Sequence, residues 1–294
     1  MSTIVLLALT GLGLGALYFL VASGLSLIWG LMRVLNFAHG AFFTVAAYAA
    51  WTAQGALHGL PSPWMRWFAA LLIGITIGAL FATLTEVLLI RRLYREQIGQ
   101  VLVTVGLALA TLALVQGGFG SDPKQVQLPA WMTATTAVAG AAIPNTRLLA
   151  ILAAALVLIA LLLFLQHTRY GLIVRAGVEN RAMVSALGID VQRAFTLVFA
   201  IGGAAAGLAG VLGGAYYGTV DPVRGTEMLI FAFIVVVIGG LGSVTGSAAA
   251  AVIVGLLQQF LNYYAAPGVG DFAVVLLLAG VLLTRPGGLA GGVL

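Results

Sequence analysis

Nine apolar runs, near residues 4–31, 41–57, 67–90, 98–116, 148–165, 195–218, 228–241, 245–262 and 271–284, make up most of this chain. Within them the only charged side chains are Glu86, near the end of the third, and Asp271, at the start of the ninth. A helix needs about 20 apolar residues to cross a hydrocarbon core of roughly 30 Å. The pattern predicts an all-α fold: one polytopic transmembrane bundle, residues 1–294, of eight or nine spans with discontinuous or re-entrant segments. Composition closes off a soluble alternative. Only 7% of the residues are charged and 62% are hydrophobic, whereas soluble domains carry roughly 25% charged residues. Large extramembrane domains are excluded.

A net charge of +5 would suggest nucleic acid in a soluble protein. Here the basic residues mark the ends of apolar runs, as membrane topology requires. Arg91, Arg92 and Arg95 follow the third run, Arg169, Arg175, Arg181 and Arg193 lie within 166–194, and Arg285 follows the last. Placing all three groups in the cytoplasm is self-consistent. Arg33 then lies inside, and the N-terminus and the loop at about 117–147 lie outside. Met1-Ser2-Thr3 leads straight into a run too long for the apolar core of a cleaved signal, so a retained first span is expected.

Two glycine-marked interruptions fall at membrane depth: Asn36-Phe37-Ala38-His39-Gly40, and Gly239 to Gly246, which reads GGLGSVTG. Irregular backbone survives in a bilayer only where protein or a water-filled cavity surrounds it. In transporters, glycine-broken segments in comparable places of the two halves mark the substrate pathway. Asn36, His39, Gly40, Gly239, Gly240, Gly242 and Ser243 are therefore candidates for a translocation pathway. Glycine also serves close helix packing, the expected role of Gly11, Gly13, Gly15, Gly202, Gly203, Gly207 and Gly210; for GGLGSVTG both readings stand. The stretch 228–262 fits two spans or one re-entrant element. Glu86 is placed to pair with Arg91, and Glu227 and Asp271 to favour helix N-termini through the macrodipole.

Several chemistries are missing. No cysteine is present, so there is no disulfide, thiolate metal site or thiol nucleophile. There is no His-Glu-x-x-His, and His39, His58 and His167 share no ligand spacing. Lys124, the sole lysine, sits between Pro123 and Gln125, so the chain has no Walker A loop. No catalytic, metal-binding or cofactor-binding residue is expected, and the chain does not read as an enzyme.

The segment of about 169–194 reads RYGLIVRAGVENRAMVSALGIDVQRA. Glu179 or Asn180 is suited to cap a short helix, Met183, Ala186 and Leu187 share one face, and Gly188 is placed to stop it. The expectation is a two-turn cytoplasmic helix over about 179–190 that docks into a partner's groove.

NFAHG, ENRAMVSALGID, AFTLVFAIGGAAAGLAGVLGGAYYG and IGGLGSVTGSAAAAVIVGLL, in this order and spacing, resemble the permease subunit of branched-chain amino-acid ABC importers, the shorter LivH type. The resemblance spans roughly residues 4–288. It implies that Glu179, Asn180, Arg181, Ala182, Ala186, Leu187, Gly188, Ile189 and Asp190 form the coupling helix to an ATPase, with Glu179, Ala186 and Gly188 matching key positions. It also implies a second, related permease, two ATP-binding subunits that carry the ATP and magnesium, a periplasmic binding protein and a place in the bacterial inner membrane. Relatives import branched-chain and other amino acids, urea, amides or aromatic acids, so the substrate stays open. The alternative, a stand-alone channel or ion-coupled secondary transporter, would show ionisable groups within spans, and these are scarce. On the importer reading, Gly188→Trp abolishes solute uptake while gel filtration still shows folded protein at near-normal yield. Loss of the folded protein would make the position structural.

Overall fold

A computed structural model describes residues 2–33, 36–94, 96–186 and 190–290. Every apolar run forms one helix: α1 (Ser2–Met32), α2 (His39–Ala56), α3 (Pro63–Leu88), α4 (Gln97–Phe119), α6 (Asn145–His167), α8 (Val191–Tyr217), α9 (Arg224–Gly239), α10 (Val244–Tyr264) and α11 (Val269–Thr284). Two helices lie outside the runs, α5 (Ala130–Thr133) and α7 (Arg169–Ala186). Six of the helices, α1, α3, α4, α6, α8 and α10, are long and apolar enough to cross a membrane. The chain is a multi-pass helical membrane protein. The stretch at 228–262 is two helices, with α9 turning sharply into α10.

α1 is the central mast, packed on α6, α8, α9 and α10, while α8 also packs on α2 and α3. Residues from Gly11 to Ile28 of α1 are almost all buried. Small residues let these backbones touch, the usual device in lipid, where the hydrophobic effect does not drive helices together. A methyl group on Gly24 would lie 2.7 Å from both the Cα and the carbonyl oxygen of Gly202 in α8. Gly11 and Gly15 meet α10 at Gly255 and Ala251 in the same way, and Gly203 and Gly207 meet Gly78 and Gly74 of α3. These contacts set α8 and α10 antiparallel to α1. α4 packs chiefly on α2, and Gly106 on it faces open space.

Most of the arginines gather at one end of the bundle, whereas Arg66, Arg147 and Arg224 lie toward the other. Arg91, in a single 3-10 turn (Ile90–Leu93) after α3, donates to Thr196 in the first turns of α8 at 2.8 Å. Gly30, near the end of α1, packs on Gly242, and Gly240 packs on Gly287 beyond α11. The opposite end carries short strands that the hydropathy pattern does not announce: β1 (Lys124–Gln125) pairs with β4 (Thr219–Val220), and β2 (Thr135–Val138) with β3 (Ala141–Pro144). Trp51 donates its Nε1–H to the Gln125 carbonyl at 2.9 Å, tying this cap to α2. The long connection at 117–147 is thus a folded cap.

One expectation needs correction. The helix in the basic connection does not begin at Glu179 or Asn180 but at Arg169, and it runs 18 residues. Its start is fixed by Thr168, whose hydroxyl accepts from Gly171 N at 2.9 Å, an N-cap arrangement. Glu179, Asn180, Arg181, Ala182 and Ala186 are interior to α7 or at its end, so neither Glu179 nor Asn180 is a cap. Leu187, Gly188 and Ile189 lie outside the described residues. Asp190 caps the next helix, accepting from Gln192 N at 3.1 Å and Arg193 N at 3.3 Å.

The packing argument is testable. Gly24→Leu forces α1 from α8 and costs about 1–3 kcal/mol by overpacking, seen as a lower unfolding temperature in detergent. Gly106→Leu, into open space, leaves that temperature unchanged.

Candidate functional site

The first interruption is a built turn. The Asn36 side-chain oxygen accepts from Ala38 N at 3.1 Å, and the Asn36 carbonyl accepts from His39 N at 3.2 Å. A short polar side chain that bonds backbone two residues ahead is the Asx turn. It answers the need to satisfy backbone groups away from water. His39, fully buried, meets the Val21 carbonyl of α1 through Nε2 at 3.1 Å. Val21 is three residues from Tyr18 near the middle of α1, so α2 begins well inside the bundle and not at its edge.

α9 begins at comparable depth. Gly225 is in backbone contact with Gly40, and a methyl group on Gly40 would also lie 3.1 Å from Leu229 Cβ. The first turns of α2 and α9 therefore cross. Phe231 stacks on Tyr18 with ring centroids 5.0 Å apart. One turn earlier, about 6 Å along the axis, stands Glu227. Its Oε2 accepts from Arg224 Nη1 at 2.9 Å, and the Arg224 guanidinium also lies over the Tyr217 ring at 4.5 Å, 3.9 Å from Asp221 Oδ2. The Glu227 side chain is 50% exposed. Charged groups at such depth face protein or a water-filled cavity, because hydrocarbon penalises them by several kcal/mol.

Farther along α9 is a cavity of about 310 Å³, lined by Leu25, Asn36, Phe37, Leu229, Ile230, Phe233, Ile234 and Leu278. That volume is at the lower end of small-molecule sites, roughly 300–1,000 Å³. Asn36 is its polar member. It is 2% exposed, and its Nδ2 has no hydrogen-bond partner among the described residues.

The pathway candidates thus separate. Asn36 lines the cavity; His39 and Gly40 are buried against α1 and α9 behind it. Gly239, Gly240, Gly242 and Ser243 form the α9–α10 turn and are not among the lining residues. Gly240 and Gly242 have φ of 101° and 89°, left-handed backbone that glycine alone adopts without strain. Ser243 caps α10 by accepting from Gly246 N at 3.0 Å. The turn is covered by residues after α11, with Leu289 N and Ala290 N donating to the Ile238 and Gly239 carbonyls.

Arg224 was not singled out from the sequence, and Glu227 was read only as a favourable charge at a helix start. Asp221-Arg224-Glu227 repeats at i, i+3, which looks like ordinary helix-end chemistry. The available signal was a cation and an anion opening an otherwise uncharged run.

A second polar node lies at the basic end. Glu86, 0% exposed, accepts from Arg91 Nη2 at 3.0 Å, from Thr196 at 2.8 Å and from the Tyr94 hydroxyl. Burial and this bond to Glu86 push the Tyr94 phenol far above its ordinary range, so it stays a donor. The expected Glu86–Arg91 pair is present, and it ties α3 to α8. Asp271 lies in the first turn of α11, where its charge favours the helix start as expected, with Gly268 at the N-cap position. It accepts from Gln258 Nε2, whose Oε1 accepts from Tyr18 at 2.8 Å.

Comparison with known proteins places this geometry. Residues 7–284 match the family model described as branched-chain amino acid transport system / permease component. The high-affinity branched-chain amino acid transport system permease protein LivH of Salmonella typhimurium is 29% identical over 289 residues, 96% of this chain and 93% of that protein. BraD of Pseudomonas aeruginosa, with the same description, is 30% identical across 96% of this chain and 94% of its own length. The ribose import permease protein RbsC of Escherichia coli is 32% identical over 136 residues, 42% of this chain and 41% of that protein. No solved structure matches.

His39→Ala removes the bond to Val21 and leaves space beside α1. It should lower the unfolding temperature by an amount equivalent to about 1–3 kcal/mol, measured by thermal denaturation in detergent. An unchanged temperature would show that the ring does not hold α2 to α1.

Proposed function

Because the chain belongs to the family of branched-chain amino acid transport system permease components, we propose that it is the membrane-spanning subunit of an ATP-binding-cassette importer. Its cargo is a branched-chain or related amino acid delivered by a periplasmic binding protein. The observation that carries this reading is the family match over nearly the whole chain. The sequence supports the division of labour: it has no Walker A loop, so ATP and its magnesium bind in separate subunits. Two ATP-binding subunits and a second, related permease complete the machine in the bacterial inner membrane.

In this reading the segment 169–194 is the coupling element, with Glu179, Asn180, Arg181, Ala182, Ala186, Leu187, Gly188, Ile189 and Asp190 at the contact with the ATPase. Support comes from its place at the arginine-rich end and from Met183 on α7, a large apolar side chain left 60% exposed. The positive-inside rule puts that end in the cytoplasm, and the strand-capped end then faces the binding protein. Asn36 belongs to the pathway because it lines the cavity. His39, Gly40, Gly239, Gly240, Gly242 and Ser243 shape that pathway by holding the chain breaks around it. Residues 1–294 act as one permease domain.

The test is co-purification from the native membrane in mild detergent, followed by mass spectrometry. A Walker-A-containing ATPase should be recovered with the intact chain and lost when 179–190 is disrupted. A chain that purifies alone and still moves amino acid in liposomes without ATP would overturn the importer reading in favour of a channel or secondary transporter.

A further inference from the structure

We propose that the cleft between the end of α1 and the start of α4 holds one anionic phospholipid of the leaflet at the basic end. Its phosphate lies toward Arg33 and an acyl chain runs along α4. This goes beyond the importer reading and takes from it only that the basic end faces the cytoplasm.

α1 and α4 are not close-packed on each other. A cavity of about 390 Å³ separates them, with Trp29 and Arg33 on one wall and Gln97, Ile98, Val101 and Leu102 on the other. The helices run in opposite directions here, so Arg33 and Gln97 stand at the membrane face. Trp29 and Val101 lie one turn deeper, about 6 Å along each axis.

The shallow end is cationic and polar. Arg33 and Gln97 are both exposed. Arg33 forms no ion pair among the described residues, so its charge has no protein counterion there. No carboxylate lines the cavity. Glu96, the acid next to Gln97, places its Oε2 beside Gly99, which is not a lining residue. Gln100 also lines the cavity, but its Nε2 is committed to the Leu93 carbonyl at 2.6 Å. α4 starts without a side-chain cap, and the positive end of its macrodipole adds to the attraction of Arg33 for a phosphate.

The deeper end is apolar and opens on lipid. Ile98 and Leu102 are 78% and 67% exposed, and Val105 and Leu109 continue them at i+7 and i+11 on one stripe of α4. From Ile98 to Leu109 the rise is about 16 Å, close to half of a roughly 30 Å hydrocarbon core. The next large residue on that face, Leu112, is part-buried. The exposed stripe therefore has the depth of one leaflet, which suits an acyl chain, whereas a partner helix would cross both. Trp29 supplies the amphipathic ring that anchors well at the headgroup level. A headgroup ammonium would meet no carboxylate in this cavity, so a lipid of net negative charge is preferred to a zwitterionic one.

The full chain, purified in mild detergent, is to be titrated with phosphatidylglycerol and phosphatidylethanolamine of identical acyl chains and read by native mass spectrometry. One phosphatidylglycerol should be retained per chain, about fivefold more tightly than phosphatidylethanolamine, the worth of one cation beside an anionic lipid. R33Q should bring the two lipids to equal retention. R92Q, at an exposed arginine of the same end that does not line the cavity, should keep the preference. Equal retention of both lipids by the wild type, or an equal effect of R33Q and R92Q, would mean annular lipid only and overturn the site. Should R33Q not fold, Gln97→Glu puts a carboxylate where the helix start tolerates it and should also abolish the preference; an unaltered preference overturns the site. Glycerol 3-phosphate should not displace the lipid, and displacement would assign the cleft to a free phosphate ester instead. A photo-crosslinking residue in place of Leu102 should label phospholipid in native membranes, whereas a protein adduct would give the cleft to a partner subunit. ATP-driven uptake enters none of these readouts, so a failed importer reading leaves the lipid site standing, and the reverse.

Discussion

Backbone satisfaction away from water decides most of this architecture. An unpaired N–H or C=O in hydrocarbon costs several kcal/mol, so every place where the chain leaves a helix at depth must be sealed. Three such places stand out among the described residues, and each is sealed differently. At 36–38 the Asn36 side chain serves the backbone of Ala38. At 221–223 the Asp221 carboxylate accepts from Val223 N at 2.8 Å while β4 pairs with β1 just before it. At 239–243 the segment after α11 folds back and donates to the last carbonyls of α9. Breaks of this kind let α2 and α9 start inside the bundle, and only helices that start there can present their N-termini to a solute.

Hydropathy made the helices readable because each run is bounded by chemistry that lipid rejects. Every run became one helix, with ends displaced by a few residues as caps and turns extended it. The Glu86–Arg91 pair was legible from spacing, and the packing role of Gly202, Gly203 and Gly207 from composition. What periodicity does not carry is depth. Nothing in NFAHG or in DPVRGTE says that Gly40 and Gly225 touch, since they are far apart in the chain. The same limit hid Arg224 and Glu227, whose spacing is that of any helix start.

The misreading of α7 has a local cause. Its first ten residues, RYGLIVRAGV, hold two glycines and three β-branched side chains, all of low helix propensity. The cap at Thr168 lies one residue before this weak stretch, whereas ENRAM reads as a stronger start. Packing decided the matter: Gly171 lies tightly against Phe164 and Leu165 of α6, and Val174 and Val184 are buried. Tertiary contact overrode propensity.

The placement of α8 connects the two regions that matter most for the proposed importer. It is capped at the basic end by Asp190 and bonded there to the Glu86 node through Thr196. It then runs 27 residues without a break, about 40 Å, to Tyr217, whose ring carries Arg224. Only β4 and a short turn separate its far end from the first turn of α9. α7 leads into this rod at the basic end, and α8 is close-packed on α1, α2 and α3. A displacement of α7 therefore cannot be absorbed in soft side chains. Rigid glycine contacts on three sides leave α8 free to move chiefly as one body with its neighbours, which is how a push at the basic end reaches the Arg224–Glu227 pair beside its far end.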